Sequence, residues 1–327
     1  MNRRKFINAA AGAVAGTTCA ILSGDATSAT ISPSGRKATN GQAETPFRPN
    51  PIGVSTYSFW RFRNDTKLTM TECIDWAARM GFDGVELLQV QMQDQSDAYL
   101  NKIKRHALLN GMPLIGMSTH QGFVSPDEDR RKNNIAKTID SIEKAYKLGI
   151  PTIRINTGRW GTTRSFDQLM ADKGIEKRLE GFTDDDGLKW VTDSLAECVK
   201  RAEKCGVVLG LENHWGLGRT AEGVMRCIRT LNSPWLKATL DTGNFFERRN
   251  EQFKMMAPET VLVQAKTYLG GGTWYTIDIN YDEIAKIMQQ ANYRGFISLE
   301  FEGKEDFETA IPKSLELLRN AFGKPQT

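Results

Sequence analysis

Carboxylates stand at the carboxyl ends of several short apolar runs in this 327-residue sequence. Glu86, Glu212, Asp241 and Glu300 each end such a run. A buried carboxylate is costly unless it is paired or coordinates a metal. If the runs are strands of one parallel barrel, their carboxyl ends meet at one mouth and the carboxylates converge there. That convergence predicts a bound cation.

Further polar side chains lie at the same ends. His214 comes two residues after Glu212, and Lys266 comes two residues after Gln264, so each pair lies on one side of an extended strand. We interpret His214 and Lys266 as substrate contacts; the alternatives are a supporting hydrogen bond for the histidine and a solvated lysine. The other polar residues predicted to contact substrate are Glu86, His120, Arg154 and Asn156.

Four tryptophans follow apolar runs. Flat rings next to polar groups suit the mixed faces of a sugar, so we predict that these rings contact substrate. They are Trp60, Trp160, Trp215 and Trp274. The run of three glycines at 270–272 lacks the Gly-Lys-Ser/Thr ending of a phosphate-binding loop and is interpreted as a flexible turn or the hinge of a lid.

The elements that position these residues form a repeat of helix, glycine-containing turn and β-rich run. Apolar runs of this kind are typical of buried parallel strands. Strict alternation over about 275 residues predicts a single-domain (β/α)8 TIM barrel, an α/β fold, over residues 51–327. A doubly wound sheet is disfavoured because no dinucleotide fingerprint follows the first strand. The predicted strands span residues 52–57, 83–88, 113–118, 151–156, 207–212, 236–241, 260–265 and 295–301. The predicted helices span residues 69–80, 95–110, 127–148, 188–205, 220–231, 245–256, 281–291 and 306–322.

Residues 1–29 have the parts of a signal peptide. Asn2-Arg3-Arg4-Lys5-Phe6-Ile7 resembles a twin-arginine signal, and a short apolar stretch with small residues follows it. The stretch is too short for a stable membrane span. Residues 30–50 are polar and rich in Ser, Thr, Gly and Pro, which predicts a disordered linker. We therefore expect an exported, periplasmic protein with no membrane association after signal cleavage.

Charge and residue counts exclude some classes of function. Of the 43 basic and 39 acidic residues, six and two lie in residues 1–50, so the remaining chain carries 37 of each. A neutral domain gives no reason to expect nucleic acid as a partner. The three histidines are too few for a site holding three zinc ions.

Four short motifs, in order at the ends of predicted strands 5 to 8, resemble the xylose isomerase-like superfamily of sugar isomerases and ketose 3-epimerases. They are Leu211-Glu212-Asn213-His214, Leu240-Asp241-Thr242-Gly243-Asn244, Gln264-Ala265-Lys266 and Ser298-Leu299-Glu300. The resemblance implies one divalent metal held by Glu212, Asp241, Gln264 and Glu300. It also implies that Glu212 and Glu300 are the catalytic acid–base pair, with the role of metal ligand only as the alternative.

Two positions depart from the pattern of that superfamily. Gln264 stands where the family usually has histidine, which makes the ligand set all-oxygen and favours Mn²⁺ or Mg²⁺ over Zn²⁺. Asn244 stands where many relatives have a histidine, and we carry it over as a substrate contact.

The resemblance implies a sugar isomerase or epimerase acting through an enediolate on a non-phosphorylated ketose or keto-glycoside. A 3-keto-glycoside lyase that uses the same proton abstraction for β-elimination is one alternative, and a non-catalytic periplasmic sugar-binding barrel is another. The expected partner is a small carbohydrate, and self-association into a homo-oligomer is compatible with the sequence.

Overall fold

The computed structural model describes residues 47–326 apart from 64 and 66. The predicted signal peptide and nearly all of the predicted linker lie outside these residues. Residues 47–50, the end of that linker, are described as neither helix nor strand. Among the described residues, no helix combines the length and the apolar character needed to cross a membrane.

Eight parallel strands close into a barrel in chain order, with the first strand paired to the last. The predicted (β/α)8 fold is therefore confirmed. The strands are β1 (Ile52–Ser55), β2 (Gly84–Leu88), β3 (Leu114–Ser118), β4 (Thr152–Ile155), β5 (Val208–Glu212), β6 (Leu236–Asp241), β7 (Thr260–Thr267) and β8 (Ile297–Phe301).

Helices surround the barrel and follow each strand. They are α1 (Tyr57–Trp60), α2 (Met70–Met80), α3 (Asp97–Leu109), α4 (Glu128–Leu148), α5 (Phe166–Ala171), α6 (Asp184–Cys205), α7 (Ala221–Leu231), α8 (Arg249–Met256), α9 (Tyr281–Gln290) and α10 (Phe307–Phe322). The short helices α1 and α5, which were not predicted, lie in the connections after β1 and β4.

Helix α2 shows how the sequence sets these elements. Thr69 and Glu72 form a reciprocal capping box at its start, and Gly81 ends it in the left-handed conformation with φ of 83°. Between these signals the buried residues recur every three or four positions, so one face packs on the barrel. Those residues are Met70, Cys73, Ile74 and Ala77.

Two predicted helix starts were wrong. Helix α6 begins four residues earlier than predicted, because Thr183 and Asp186 form a capping box and make the acidic run the first helical turn. Helix α8 begins at Arg249 rather than at 245, because Arg248 has a left-handed backbone with φ of 43°, through which a right-handed helix cannot continue.

Strand register brings the polar side chains together. Asp241 of β6 is paired with Gln264 of β7, and Lys266 of β7 is paired with Glu300 of β8. Paired positions on neighbouring strands lie about 5 Å apart. The register therefore places residues from distant parts of the chain side by side at the carboxyl ends of the strands.

Candidate active site

A cavity of about 300 Å³ opens at the carboxyl ends of the strands. Nine of the residues predicted for the site line it, so the sequence placed these correctly; their functions stay predictions. They are His120, Arg154, Glu212, His214, Trp215, Asn244, Lys266, Trp274 and Glu300. The wall also contains residues to which no role was assigned from the sequence: Tyr57, Phe62, Leu88, Phe166, Tyr275 and Glu302.

Glu212 is held by three nitrogen donors. Arg154 Nε lies 3.3 Å from its Oε2, and Asn244 Nδ2 donates to its Oε1 at 3.2 Å. Asn156, with its amide nitrogen turned toward acceptors, donates to Oε2 at 2.8 Å. Asn156 and Asn244 thus contact a predicted catalytic carboxylate, and of the two only Asn244 lines the cavity.

Lys266 of β7 links carboxylates at the carboxyl ends of the two neighbouring strands, β6 and β8. Its Nζ lies 2.9 Å from Glu300 Oε2, 2.7 Å from Glu302 Oε1 and 3.4 Å from Asp241 Oδ2. Tyr57 donates from its hydroxyl to the same Glu302 oxygen at 3.0 Å. Because Lys266 is only 6% exposed, it is not the solvated lysine that the sequence left open.

Glu86 lies beneath the cavity and does not line it. It is fully buried and accepts hydrogen bonds from Ser118 Oγ, from Ser298 Oγ at 2.6 Å and from Gln264 Nε2 at 2.7 Å. Gln264 Nε2 also lies 3.1 Å from Glu300 Oε1. The structure therefore places Glu86 as a support for Gln264, below the position where a substrate hydroxyl could reach it.

Burial shifts several of these groups toward their neutral forms. Burial raises the pKa of Glu212 well above its ordinary value, although Arg154 opposes the shift. Burial also raises the pKa of Asp241 to about 7, against the effect of Lys266. His214 has a pKa well below its ordinary value because the cavity wall shields the half-buried ring from water and because Arg154 lies nearby.

Burial disfavours the Lys266 ammonium, but the attraction of Asp241, Glu300 and Glu302 outweighs it and raises the pKa of Lys266 well above its ordinary value. The lysine is therefore a fixed positive charge across the physiological pH range.

Aromatic rings form the rim of the cavity. Phe166 of α5 and Trp274 of the glycine-containing loop meet edge to face with centroids 4.9 Å apart, and both are partly exposed. Trp215 stacks on Phe246 at 5.7 Å. Trp274 and Trp215 therefore occupy the predicted mouth.

The remaining two tryptophans lie elsewhere. Trp160 is buried against Trp190 with centroids 6.1 Å apart and does not line the cavity, because its ring turns back toward α6. Trp60 packs against Phe62, which itself reaches the rim. Phe62 and Phe166 were missed because lone phenylalanines in loops carry no pattern that separates them from core residues.

The four predicted metal ligands, as placed here, do not fit one divalent ion. Asp241 Oδ2 and Gln264 Oε1 are buried without a hydrogen-bond partner, as ligand atoms would be. However, Lys266 Nζ lies near both Asp241 and Glu300, and Gln264 turns its nitrogen toward Glu300. Within residues 47–326 as described, no three Asp, Glu, His or Cys side chains are grouped closely enough to hold a metal.

The sequence profile of the xylose isomerase-like TIM barrel family matches residues 74–321. The chain belongs to this family. Among curated proteins, a D-psicose 3-epimerase of Ruminiclostridium cellulolyticum is 29% identical over 196 residues. That alignment covers 57% of this chain and 61% of the relative, so the chain matches less than two thirds of the length of the relative.

Solved structures of sugar epimerases share the fold. The 3-keto-D-glucoside 4-epimerase YcjR from E. coli superimposes with a TM-score of 0.64 at 20% identity, covering 83% of this chain and 99% of that one. D-psicose 3-epimerase from Clostridium cellulolyticum H10 superimposes with a TM-score of 0.66, with the same identity and coverage. At this level of identity the likeness establishes the barrel and not the substrate.

Proposed function

We propose that this protein is an enzyme that epimerises or isomerises a non-phosphorylated ketose or keto-glycoside. The observation that carries the proposal is that Glu212 of β5 and Glu300 of β8 line one cavity from well-separated positions around the barrel. Inverting a carbon next to a carbonyl requires one group to remove a proton and another to return a proton on the opposite face. Two carboxylates on separate strands meet that requirement.

In the proposed reaction one glutamate takes the proton from the carbon beside the carbonyl. The electron pair of the broken C–H bond moves toward the carbonyl oxygen and forms an enediolate, and the second glutamic acid then protonates the carbon. Neutral hydrogen-bonding groups around Glu212, such as Asn244 at 3.2 Å, hold the carboxylate in place. The fixed donors require no reorganisation during the reaction.

The charges of the cavity favour a substrate without phosphate. Both cations in its described wall, Arg154 and Lys266, are already paired with carboxylates. Glu212, Glu300 and Glu302 add negative charge to the same wall. A phosphate group would have to displace these pairs, whereas sugar hydroxyls can hydrogen-bond to them.

Solvent exchange tests the proposal. The protein is incubated in D₂O with free ketohexoses and with a 3-keto-glucoside, and loss of the C–H signal next to the carbonyl is followed by NMR. We expect Glu212→Gln and Glu300→Gln each to slow exchange by at least about 100-fold, since each removes a proton-transfer group. Glu197→Ala on the exposed face of α6 is the control and should exchange like the unmodified protein. Normal exchange by both glutamine variants would contradict the assignment.

The aromatic rim supports a second candidate, β-elimination from a 3-keto-glycoside. Phe166 and Trp274 lie outside the polar floor, where a group attached to the sugar would sit. Release of that group from a keto-glycoside would identify a lyase, while exchange without release would identify an epimerase. Binding of sugar with neither exchange nor release would favour a non-catalytic binding protein.

We also propose that residues 1–29 direct export to the periplasm through the twin-arginine route. The support is the Arg3-Arg4 pair followed by a short apolar stretch. Cell fractionation of the full chain and of an Arg3→Lys, Arg4→Lys variant tests this. The variant should accumulate in the cytoplasm with its leader uncleaved.

A further inference from the structure

Lys266 occupies the centre of the site rather than its edge. Its ammonium bridges Glu300 and Asp241, at 2.9 and 3.4 Å, which are two of the residues that the family pattern assigns to a metal. It also contacts Glu302 at 2.7 Å and lies 5.5 Å from the centre of the Tyr57 ring. A positive charge that belongs to the chain itself therefore lies between the strand 6 and strand 8 carboxylates.

The surrounding fold makes room for this lysine. A Cβ atom added at Gly243 would lie 2.7 Å from Lys266 Cδ and nearer still to the Tyr268 hydroxyl, closer than real contacts allow. The Lys266 backbone N–H donates to Thr242 Oγ1 at 2.9 Å. The missing side chain at Gly243 leaves space for the aliphatic part of Lys266, and the hydrogen bond to Thr242 fixes the Lys266 backbone. The fold therefore holds the ammonium inside the site.

Arg154, the other cation in the described cavity wall, pairs with Glu212, the third predicted carboxylate ligand. Arg154 Nε lies 3.3 Å from Glu212 Oε2, and the arginine is only 6% exposed. Each of the three predicted carboxylate ligands thus has a cationic partner from the chain. Gln264 stands where the family usually has histidine, and its amide nitrogen faces Glu300. An amide nitrogen is a hydrogen-bond donor and has no lone pair to give to a metal.

We propose that the Lys266 ammonium supplies the positive charge that stabilises the enediolate oxygen, and that proton transfer by this protein requires no divalent metal. The inference rests on the proposed function. The ammonium lines the cavity, and its contact with Asp241, at 3.4 Å the longest of its three carboxylate contacts, can be replaced by a hydrogen bond to the oxygen that gains charge when the C–H bond breaks. It keeps its own protons, and the transferred proton moves between carbon and glutamate.

Metal binding tests the inference without reference to activity. The full-length protein and the Lys266→Met and Lys266→Arg variants are stripped with EDTA and titrated with Mn²⁺, with binding followed by electron paramagnetic resonance. We expect the unmodified protein and Lys266→Arg to bind Mn²⁺ weakly. Lys266→Met, which removes the cation from Asp241 and Glu300, should bind at least about tenfold more tightly. Tight binding by the unmodified protein that the methionine variant fails to improve would overturn the inference.

A second test uses only the unmodified protein, so it does not depend on the folding of any variant. It measures exchange of the substrate proton with solvent. Exchange that persists in EDTA supports the inference. Exchange that is lost in EDTA and restored by Mn²⁺ overturns the inference while the proposed function stands. No exchange with any keto-sugar, with or without Mn²⁺, would refute the proposed function, and the inference with it.

Discussion

Replacement of Glu86 tests the support beneath the active site. This carboxylate is fully buried and accepts hydrogen bonds from Ser118, Ser298 and Gln264. Each buried donor that loses its acceptor costs about 1–3 kcal/mol. Glu86→Ala leaves the Ser118 and Ser298 hydroxyls without this acceptor, whereas Gln264 Nε2 keeps Glu300 Oε1 at 3.1 Å. We therefore expect the free energy of unfolding to fall by about 2–5 kcal/mol, since the removal of a buried charge offsets part of the cost.

Glu86→Gln keeps the size of the side chain and changes only its hydrogen bonding. Its amide oxygen can still accept from Ser118 and Gln264, while its nitrogen faces Ser298, whose hydroxyl proton then loses its acceptor. We therefore expect a loss of only about 1–2 kcal/mol. The exposed Glu197→Ala is the control, since Glu197 is engaged only in a surface pair with Lys200 and its loss should cost less than about 1 kcal/mol.

Urea denaturation followed by circular dichroism measures these differences. Glu86→Ala should have a lower midpoint than Glu86→Gln, and both should lie below the control. Gln264 is expected to lose its fixed orientation in the alanine variant, which should also slow solvent exchange into substrate. A Glu86→Ala variant that unfolds within about 1 kcal/mol of the unmodified protein would refute the view that this carboxylate organises the floor of the site.

Three further predictions concern the lysine, a histidine and the rim. Gly243→Ala should displace Tyr268 and Lys266, because the added Cβ would lie 2.7 Å from the lysine Cδ and nearer still to the tyrosine hydroxyl. The exchange rate of the variant should fall at least about tenfold with a smaller change in thermal stability, and an unchanged rate would contradict this. His214 has a lowered pKa in the folded protein, so the unfolded chain binds more protons below about pH 6.5 and stability must fall as the pH drops from there. His214→Gln should lose less stability between pH 7 and pH 5 in urea titrations, and equal losses would contradict the assignment. Trp274→Ala should weaken binding of an aryl keto-glycoside more than binding of a free ketose, because the Phe166–Trp274 pair lies at the rim, where the aryl group would sit. Calorimetry measures both affinities, and an equal loss of affinity for the two sugars would contradict a contact between Trp274 and the aryl group.

The barrel could be predicted from the sequence because its signals are local. A capping residue such as Thr69, a glycine such as Gly81 and the buried runs between them specify each element within a few residues of chain. The boundary error at α6 fell where a local signal had two meanings, since the acidic residues after Thr183 suit either a loop or a first helical turn. The error at α8 has another reason: the left-handed backbone of Arg248 has no signal in the sequence.

Placing the site residues at one end of the barrel was also possible from the sequence. In a parallel barrel the end of each strand fixes which residues reach the mouth, so the positions of Glu212 and Glu300 followed from the strand assignment. The rim residues Phe62 and Phe166 did not follow, because their positions depend on loops whose paths no local pattern specifies.

By itself, then, the sequence determined the fold, the mouth and most of the residues that line the mouth. Only the tertiary structure decided how these residues are paired: Lys266 with Asp241 and Glu300, Arg154 with Glu212, and Glu86 with Gln264. The physical reason is that local propensity acts over a few residues. Ion pairs and hydrogen bonds across a barrel depend instead on strand register and side-chain direction at positions as much as 245 residues apart, as for Tyr57 and Glu302.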